Sequence, residues 1–299
     1  MILQTIKQIS CLLCLCCFLQ QSAFSQDDKD KPAYTLFYNT GKQISYGELI
    51  KRLSGYDVIF LGELHNCPIT HWLEFEITRS IYNIHKDQLM LGAEMFESDN
   101  QLIFDEYMQQ KISYDRFEAE ARLWDNYRTD YYPVVFFAKE HHIPFIATNI
   151  PRRYANIVKN KGFEALDSLS EEAKRYIAPL PIDFEYDEAQ SAAAFSMMNM
   201  MGGRRAGDNR KLAQAQAIKD ATMGWFIARN IKNKFLHING SYHSNRQGGI
   251  IPYLLRYRPN TSIVTVTSVR QESIRKLDDD HKGLADFYIC VPEDMVNSY

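Results

Sequence analysis

Six short stretches of the chain are near-continuous apolar runs, at 57–61, 88–95, 144–148, 234–238, 262–267 and 287–291. Runs of this length without apolar–polar alternation predict strands of a sheet covered on both faces. Between them the spacing changes. Over 69–85, Leu73, Ile77, Ile81 and Ile84 recur three and four residues apart, which predicts an amphipathic helix. Residues 132–142 and 152–161 read as shorter helices, the second stopped by Gly162, and 208–232 reads as the longest. Ser168 followed by Glu171 has the form of a capping box. Strand and helix in alternation predict an α/β fold, a mostly parallel sheet with helices on both faces and right-handed crossovers. Two regions break the alternation. Residues 98–128 and 169–207 are helical in pattern and carry no strand, so they read as insertions forming a lid or small subdomain. No solenoid-type repeat is present.

The N-terminus changes the picture of where the domain begins. Lys7, the apolar run over 9–19 and the small-residue site Ala23-Phe24-Ser25 read as a secretory signal over 1–25, cleaved before Gln26. The polar stretch 26–33 reads as a disordered linker, leaving 34–299 as a single domain. An exported protein, periplasmic or associated with an outer membrane, is the expectation. The formal net charge of −3 gives no reason to expect a nucleic-acid partner or an anionic membrane surface. Cys11, Cys14, Cys16 and Cys17 fall inside the signal, where they serve as small hydrophobes or a lipid site. Leu13 and Leu15 make poor residues to precede a lipidated cysteine. Cys67 and Cys290 remain, either paired or as two separate thiols.

Chemistry gathers at the strand ends. Ligands of open α/β sheets bind beyond the carboxyl ends of the strands. After the first run come Gly62, Glu63 and His65; near the end of the second lies Glu94, with Glu97 beyond. Asn149, Arg152 and Arg153 follow the third, and Asn239, Gly240 and His243 the fourth. Gly62–His65 and Gly240–His243 share the form Gly-x-x-His. On neighbouring strands they would face two imidazoles across a crevice, with Glu63 or Glu94 between. Imidazole and carboxylate suit a first-row divalent metal or acid/base work near neutral pH. His65, His243 and Glu94 are the candidate metal ligands, with His71 joining them or merely covering the start of its helix. Asp220, mid-helix, either points into the crevice or pairs with a basic neighbour. Arg152 and Arg153 either bind a carboxylate or begin a solvated helix. Met197, Met198, Met200 and Met201, followed by Gly202, Gly203 and Gly207, read as a pliable apolar flap. His141 and His142 are expected to face solvent, and His85, His237 and His281 to be structural.

Taken in order, "VIFLGELHNCPITHW", "LGAEMF" followed by Gln101, "WDNYRTDYYPVVFFAKEHHIPFIATNIPR", "AIKDATMGWFIA" and "HINGSYHSNRQGGIIPYL" resemble the ChaN-like haem-binding uptake proteins of the Tiki-like superfamily. The likeness runs over 57–269. It implies an exported protein of iron acquisition that binds haem through a tyrosine, with two protomers sharing stacked haems. The family's tyrosine does not map onto one position here, and Tyr127, Tyr131, Tyr132 and Tyr242 are the candidates, with Arg152 for a propionate and Met198 against the ring. Other branches are metal-dependent peptidases, whose catalytic positions fall here on Glu63, His65, Glu94 and His243. A distant esterase branch has one more residue between its Glu and His, so esterase activity is discounted. The resemblance thus implies haem as cofactor, a homodimer and outer-membrane haem-uptake machinery as partners. The alternative is a hydrolase holding a divalent metal ion on His65, His243 and Glu94 with Glu63 as general base. An inactive scaffold that only binds partners is a third reading.

Overall fold

Our computed structural model describes residues 31–187 and 208–298. Tyr34–Tyr299 cluster as one compact unit. The six apolar runs become strands, all but β4 a little longer than the runs: β2 (Val58–Glu63), β3 (Leu89–Glu97), β4 (Phe145–Asn149), β5 (Lys234–Gly240), β6 (Ile263–Gln271) and β7 (Phe287–Pro292). A seventh, β1 (Thr35–Tyr38), precedes them. They form one sheet in the order β1-β7-β6-β2-β5-β3-β4. Every neighbouring pair is parallel except β1 with β7.

The continuous apolar runs still obey a two-residue period, with both sides covered. Ile59, Leu61, Leu91, Leu236 and Ile238 face one core. That core is closed by Leu73, Ile77 and Ile81 of α2 (Pro68–His85), with α1 (Tyr46–Leu53) alongside. Val58, Phe60, Met90 and Phe235 face the other core. The predicted insertion at 98–128 is helical, forming α3 (Gln101–Met108) and α4 (Tyr114–Glu120), and buries Phe104 and Phe117 in the first core. Next come α5 (Tyr132–Glu140) and α6 (Arg152–Lys161). Met223 and Ile227 of α7 (Asn209–Asn230) and Ile250 and Leu254 of α8 (Ile250–Tyr257) close the second core. Asp208 caps α7, accepting from the Arg210 N–H at 2.9 Å.

This wiring opens a gap. The helix after β2 covers one face and the helix after β5 covers the other, although β2 and β5 are neighbours. Adjacent chains therefore part at their carboxyl ends, which is where an α/β sheet forms its binding crevice. The register aligns the two turns. Glu63 pairs with Gly240, so both Gly-x-x-His segments leave the sheet side by side. On the other side of β5, a register shift between Ala93 and Glu97 brings Glu94 to the same edge.

The expected capping box at Ser168 does not form, and Ser170, two residues on, caps the short helix instead. Ser170 accepts from the Ala173 N–H, while Ser168 donates to the Ala165 carbonyl. Cys67 and Cys290 are buried free thiols. Among the described residues no helix is long and apolar enough to cross a membrane. The methionine-rich segment, Met198 included, and residues 1–30 lie outside the described residues.

Candidate functional site

The carboxyl ends of β2, β3, β4 and β5 open on a cleft of about 660 Å³. Its lining includes Glu63, His65, Glu94, Asn149, Gly240, Tyr242 and His243. Two hydrogen-bonded groups occupy its floor.

The first centres on His243. Its Nε2 stands 3.2 Å from Glu94 Oε1 and its Nδ1 2.5 Å from Asp220 Oδ1, all three side chains being buried. Burial alone would lower the imidazole, but Glu94 and Asp220 outweigh it and raise it to about 10. Burial likewise pushes Glu94 up, and the His243 cation overrides this and lowers it. Asp220, whose burial is less fully offset, is raised. The group is an imidazolium clamped by two carboxylates. Glu94 Oε2 also accepts from the Gly240 N–H at 2.8 Å, which fixes β3 to β5 at the rim.

The second centres on Glu63. Its Oε1 accepts from His65 Nδ1 at 2.6 Å and from the Tyr131 hydroxyl at 2.7 Å. Burial raises this carboxyl, but His65 and His71 outweigh it and bring it to about 2. Glu63 in return raises His65 against its own burial. The His65 ring packs edge-on to Trp124 at 5.0 Å and lies against Gly240. Gly240 has ordinary extended dihedrals, φ −54° and ψ 136°. Glycine is needed there for space, since a Cβ would fall 2.7 Å from His65 Nε2. Gly240→Ala is therefore expected to leave the fold within about 1 kcal/mol of the parent, because the ring can swing. It should weaken cleft ligands that touch His65. Urea midpoints beside ligand titrations check both, and a ligand affinity unchanged by the extra methyl would refute the contact.

Residues 49–254, more than half of the chain, match the family described as haem-binding uptake, Tiki superfamily, ChaN. The chain belongs to the ChaN haem-binding uptake family. Among solved structures, it is similar to ChaN of Campylobacter jejuni, described as showing cofacial haem binding. That likeness has a TM-score of 0.66 at 19% identity, over 88% of this chain and 97% of that one. It is also similar to an erythromycin esterase mutant, EreC, in its open conformation, at a TM-score of 0.50 and 9% identity, over 89% and 99% of the two chains. Identities this low show a common fold. No curated protein sequence matches the chain.

Within this ChaN-family cleft the expected residues divide. Glu63, His65, Glu94 and His243 come together at the rim, with Asn149, Arg152 and Tyr242 beside them. Tyr127 and Tyr131 lie in the first core at 2% and 3% exposure, and Tyr132 packs on Tyr114 and Phe136. Of the four tyrosines only Tyr242, 37% exposed, lines the cleft. His71 does not join the expected metal set of His65, His243 and Glu94. It faces Glu63 Oε2 at 3.6 Å from beneath, because α2 carries it under the sheet edge. Among the described residues, the group of three whose His, Cys, Asp or Glu ligand atoms all lie within 4.8 Å of one another is Glu63, His71 and Glu74. His237, as expected, is structural. It is bonded to Thr148 and Asn239, and burial lowers it to about 4. His141 and His142 face solvent. Lys219, Trp124 and Arg270 line the cleft without having stood out in the sequence. Trp124 and Lys219 lie inside two of the stretches that carry the family resemblance but were not singled out within them, and Arg270 has no motif around it.

Proposed function

We propose that this chain binds haem in the strand-end cleft, with Tyr242 as the iron ligand, and serves haem or iron uptake as an exported protein. The observation that carries the reading is Tyr242 itself, on the turn Ser241–His243 at the lip of the cleft. Phenolate is an established iron ligand in haem proteins. The donor set around it fits haem on three counts. Leu64, Trp124, Ile150 and Ala155 give apolar wall for a macrocycle. Arg152, Lys219 and Arg270 give cations for two propionates. The anionic Glu63 and Glu94 are already neutralised by His65 and His243, so they do not repel those propionates at full strength. Haem supplies the coordination chemistry, and the chain holds and shields it.

Exposure at the lip matters for assembly. Tyr242, exposed at the lip, would hold a haem where a second copy of the chain could reach it. The similar ChaN of Campylobacter jejuni is described as binding haem cofacially. Export, a periplasmic or outer-membrane-associated location and transfer to outer-membrane uptake machinery belong to the same proposal. The hydrolase alternative gains no support from the geometry, since both ring nitrogens of His243 already face carboxylates.

Haemin titrated into haem-free protein is expected to saturate with a shifted Soret band. Tyr242→Phe should weaken binding roughly tenfold or more, about 1.4 kcal/mol, and change the visible spectrum. A featureless titration sinks the haem reading, and an unaltered spectrum in Tyr242→Phe moves the ligand elsewhere. Fractionation of cells and growth on haem as sole iron source test export and uptake.

A further inference from the structure

Beneath the cleft lies a second set of ionisable side chains that haem binding does not use. His71 and Glu74 stand on one face of α2, at 5% and 1% exposure. Glu63 reaches them from the end of β2. While its Oε1 serves His65 and Tyr131, its Oε2 accepts no hydrogen bond and lies 3.6 Å from His71 Nε2. Among the described residues, neither carboxylate oxygen of Glu74 has a hydrogen-bond partner. The other ring nitrogen of His71 faces Asp130 Oδ2 at 3.2 Å, and Asp130 is itself fixed by Asn126 Nδ2 at 2.7 Å. Among the described residues, ion pairs at Glu63 and Asp130 are to histidine alone, and Glu74 has none.

We propose that Glu63, His71 and Glu74 bind a first-row divalent cation, such as Zn²⁺ or Mn²⁺, in an enclosed site beneath the haem cleft that shares only Glu63 with the cleft's lining. Buried carboxylates without cations are costly, and buried charges are normally paired or bound to a metal. Carboxylate and imidazole are ligands for these ions. One atom from each of the three residues lies within 4.8 Å of the others. The 3.6 Å between Glu63 Oε2 and His71 Nε2 is close to the roughly 3.4 Å separating neighbouring ligands on a tetrahedral ion with bonds of about 2.1 Å. Asp130 behind the ring matches the carboxylate that commonly orients a metal-bound histidine. Glu74 and Glu63 both bring negative charge to the ion, and Glu63 divides its own between the ion and His65. The site would tie α2 to the end of β2 and hold the Glu63–His65 pair of the cleft in place. Its rival is a proton shared between Glu74 and Glu63.

The test uses the haem-free full chain. Elemental analysis of protein as purified is expected to find about one divalent ion per chain. After chelation, added Co²⁺ should restore a visible ligand-field absorption, and added Zn²⁺ should raise the melting temperature. Glu74→Gln keeps the shape of the side chain and should weaken Co²⁺ binding at least tenfold, while Tyr242→Phe should bind Co²⁺ as the parent does. A parent that is metal-free and unmoved by Co²⁺ and Zn²⁺ overturns the site and assigns the pocket to a shared proton. Equal Co²⁺ affinity in Glu74→Gln overturns it as well. Neither result depends on haemin binding, so failure here and failure of the haem reading are distinguishable.

Discussion

Replacing His243 with leucine is expected to lower the stability of the fold by about 3–5 kcal/mol at pH 7, the range for breaking a buried ion pair from one side. Glu94 and Asp220 are 4% and 5% exposed, and His243 is the cation that both of them face. Leucine is close to histidine in volume, so little of the loss comes from a cavity. The loss comes from two carboxylates left without a cation. That origin has a consequence for combined variants. Adding Glu94→Gln and Asp220→Asn to His243→Leu should recover most of the stability, because the uncompensated charge is then gone. Urea midpoints at unchanged m-value measure this. A triple variant no more stable than the single one would show that shape, rather than charge, holds this corner.

The same clamp fixes a pH dependence and its sign. Unfolded histidine titrates near 6.5, whereas His243 in the fold is raised to about 10. A folded-state value above the unfolded one contributes stability that is whole below about pH 6.5 and fades as pH climbs through about 10. The parent should weaken across that window. His243→Leu should lack this slope. It should instead gain stability on acidification, since its two stranded carboxylates take up protons more readily folded than unfolded.

How much of this was legible in the sequence varies from residue to residue, for physical reasons. Central strands were legible because burial on both faces leaves a plain apolar run, as in Val58–Glu63. Strand β1 was missed. It is a four-residue edge strand, half-buried at both ends, and gives too little pattern to read. Helix α1 had a signal that went unread, Ser45 three residues before Glu48, and Ser45 does accept from the Glu48 N–H. The pairing of the two Gly-x-x-His turns was legible from their position after apolar runs. That Gly240 is required for close approach could not be read from the sequence, since the ring of His65 decides it. Asp220 had two readings, and the side chain that selects between them, His243, is 23 residues away. Glu74 was overlooked although it interrupts the apolar face of α2 three residues before Ile77. A lone charge within an apolar stripe is a signal that could have found it. Asp130 could not have been found, because a turn between distant elements brings it to His71.

Gly249→Ala is the second substitution with a large expected effect, roughly 3–5 kcal/mol, near the upper end for single changes. Two costs coincide at this position. Its φ of +57° with ψ of −114° is a backbone region that residues with a Cβ avoid, worth about 1–3 kcal/mol. The added Cβ would also lie 2.2 Å from the His243 carbonyl oxygen, and backbone cannot move aside as a side-chain tip can. Relief requires shifting the His243 turn or the start of α8, and the His243 turn carries both Tyr242 and the ion clamp. The neighbouring glycines separate the two costs. Gly248 has a φ of −93°, and its Cβ would meet only the Asn245 carbonyl oxygen at 3.2 Å, so Gly248→Ala should change little. Gly283 has a φ of +79° and open space around it, so Gly283→Ala should show strain without a clash, about 1 kcal/mol. The expected order of unfolding midpoints is therefore Gly248→Ala highest, Gly283→Ala next and Gly249→Ala lowest. Haemin affinity should fall only in the last. Equal midpoints for Gly249→Ala and Gly283→Ala would mean that the His243 turn yields freely. The cleft would then rest on a movable segment, and a rigid placement of Tyr242 could no longer explain how it holds its ligand.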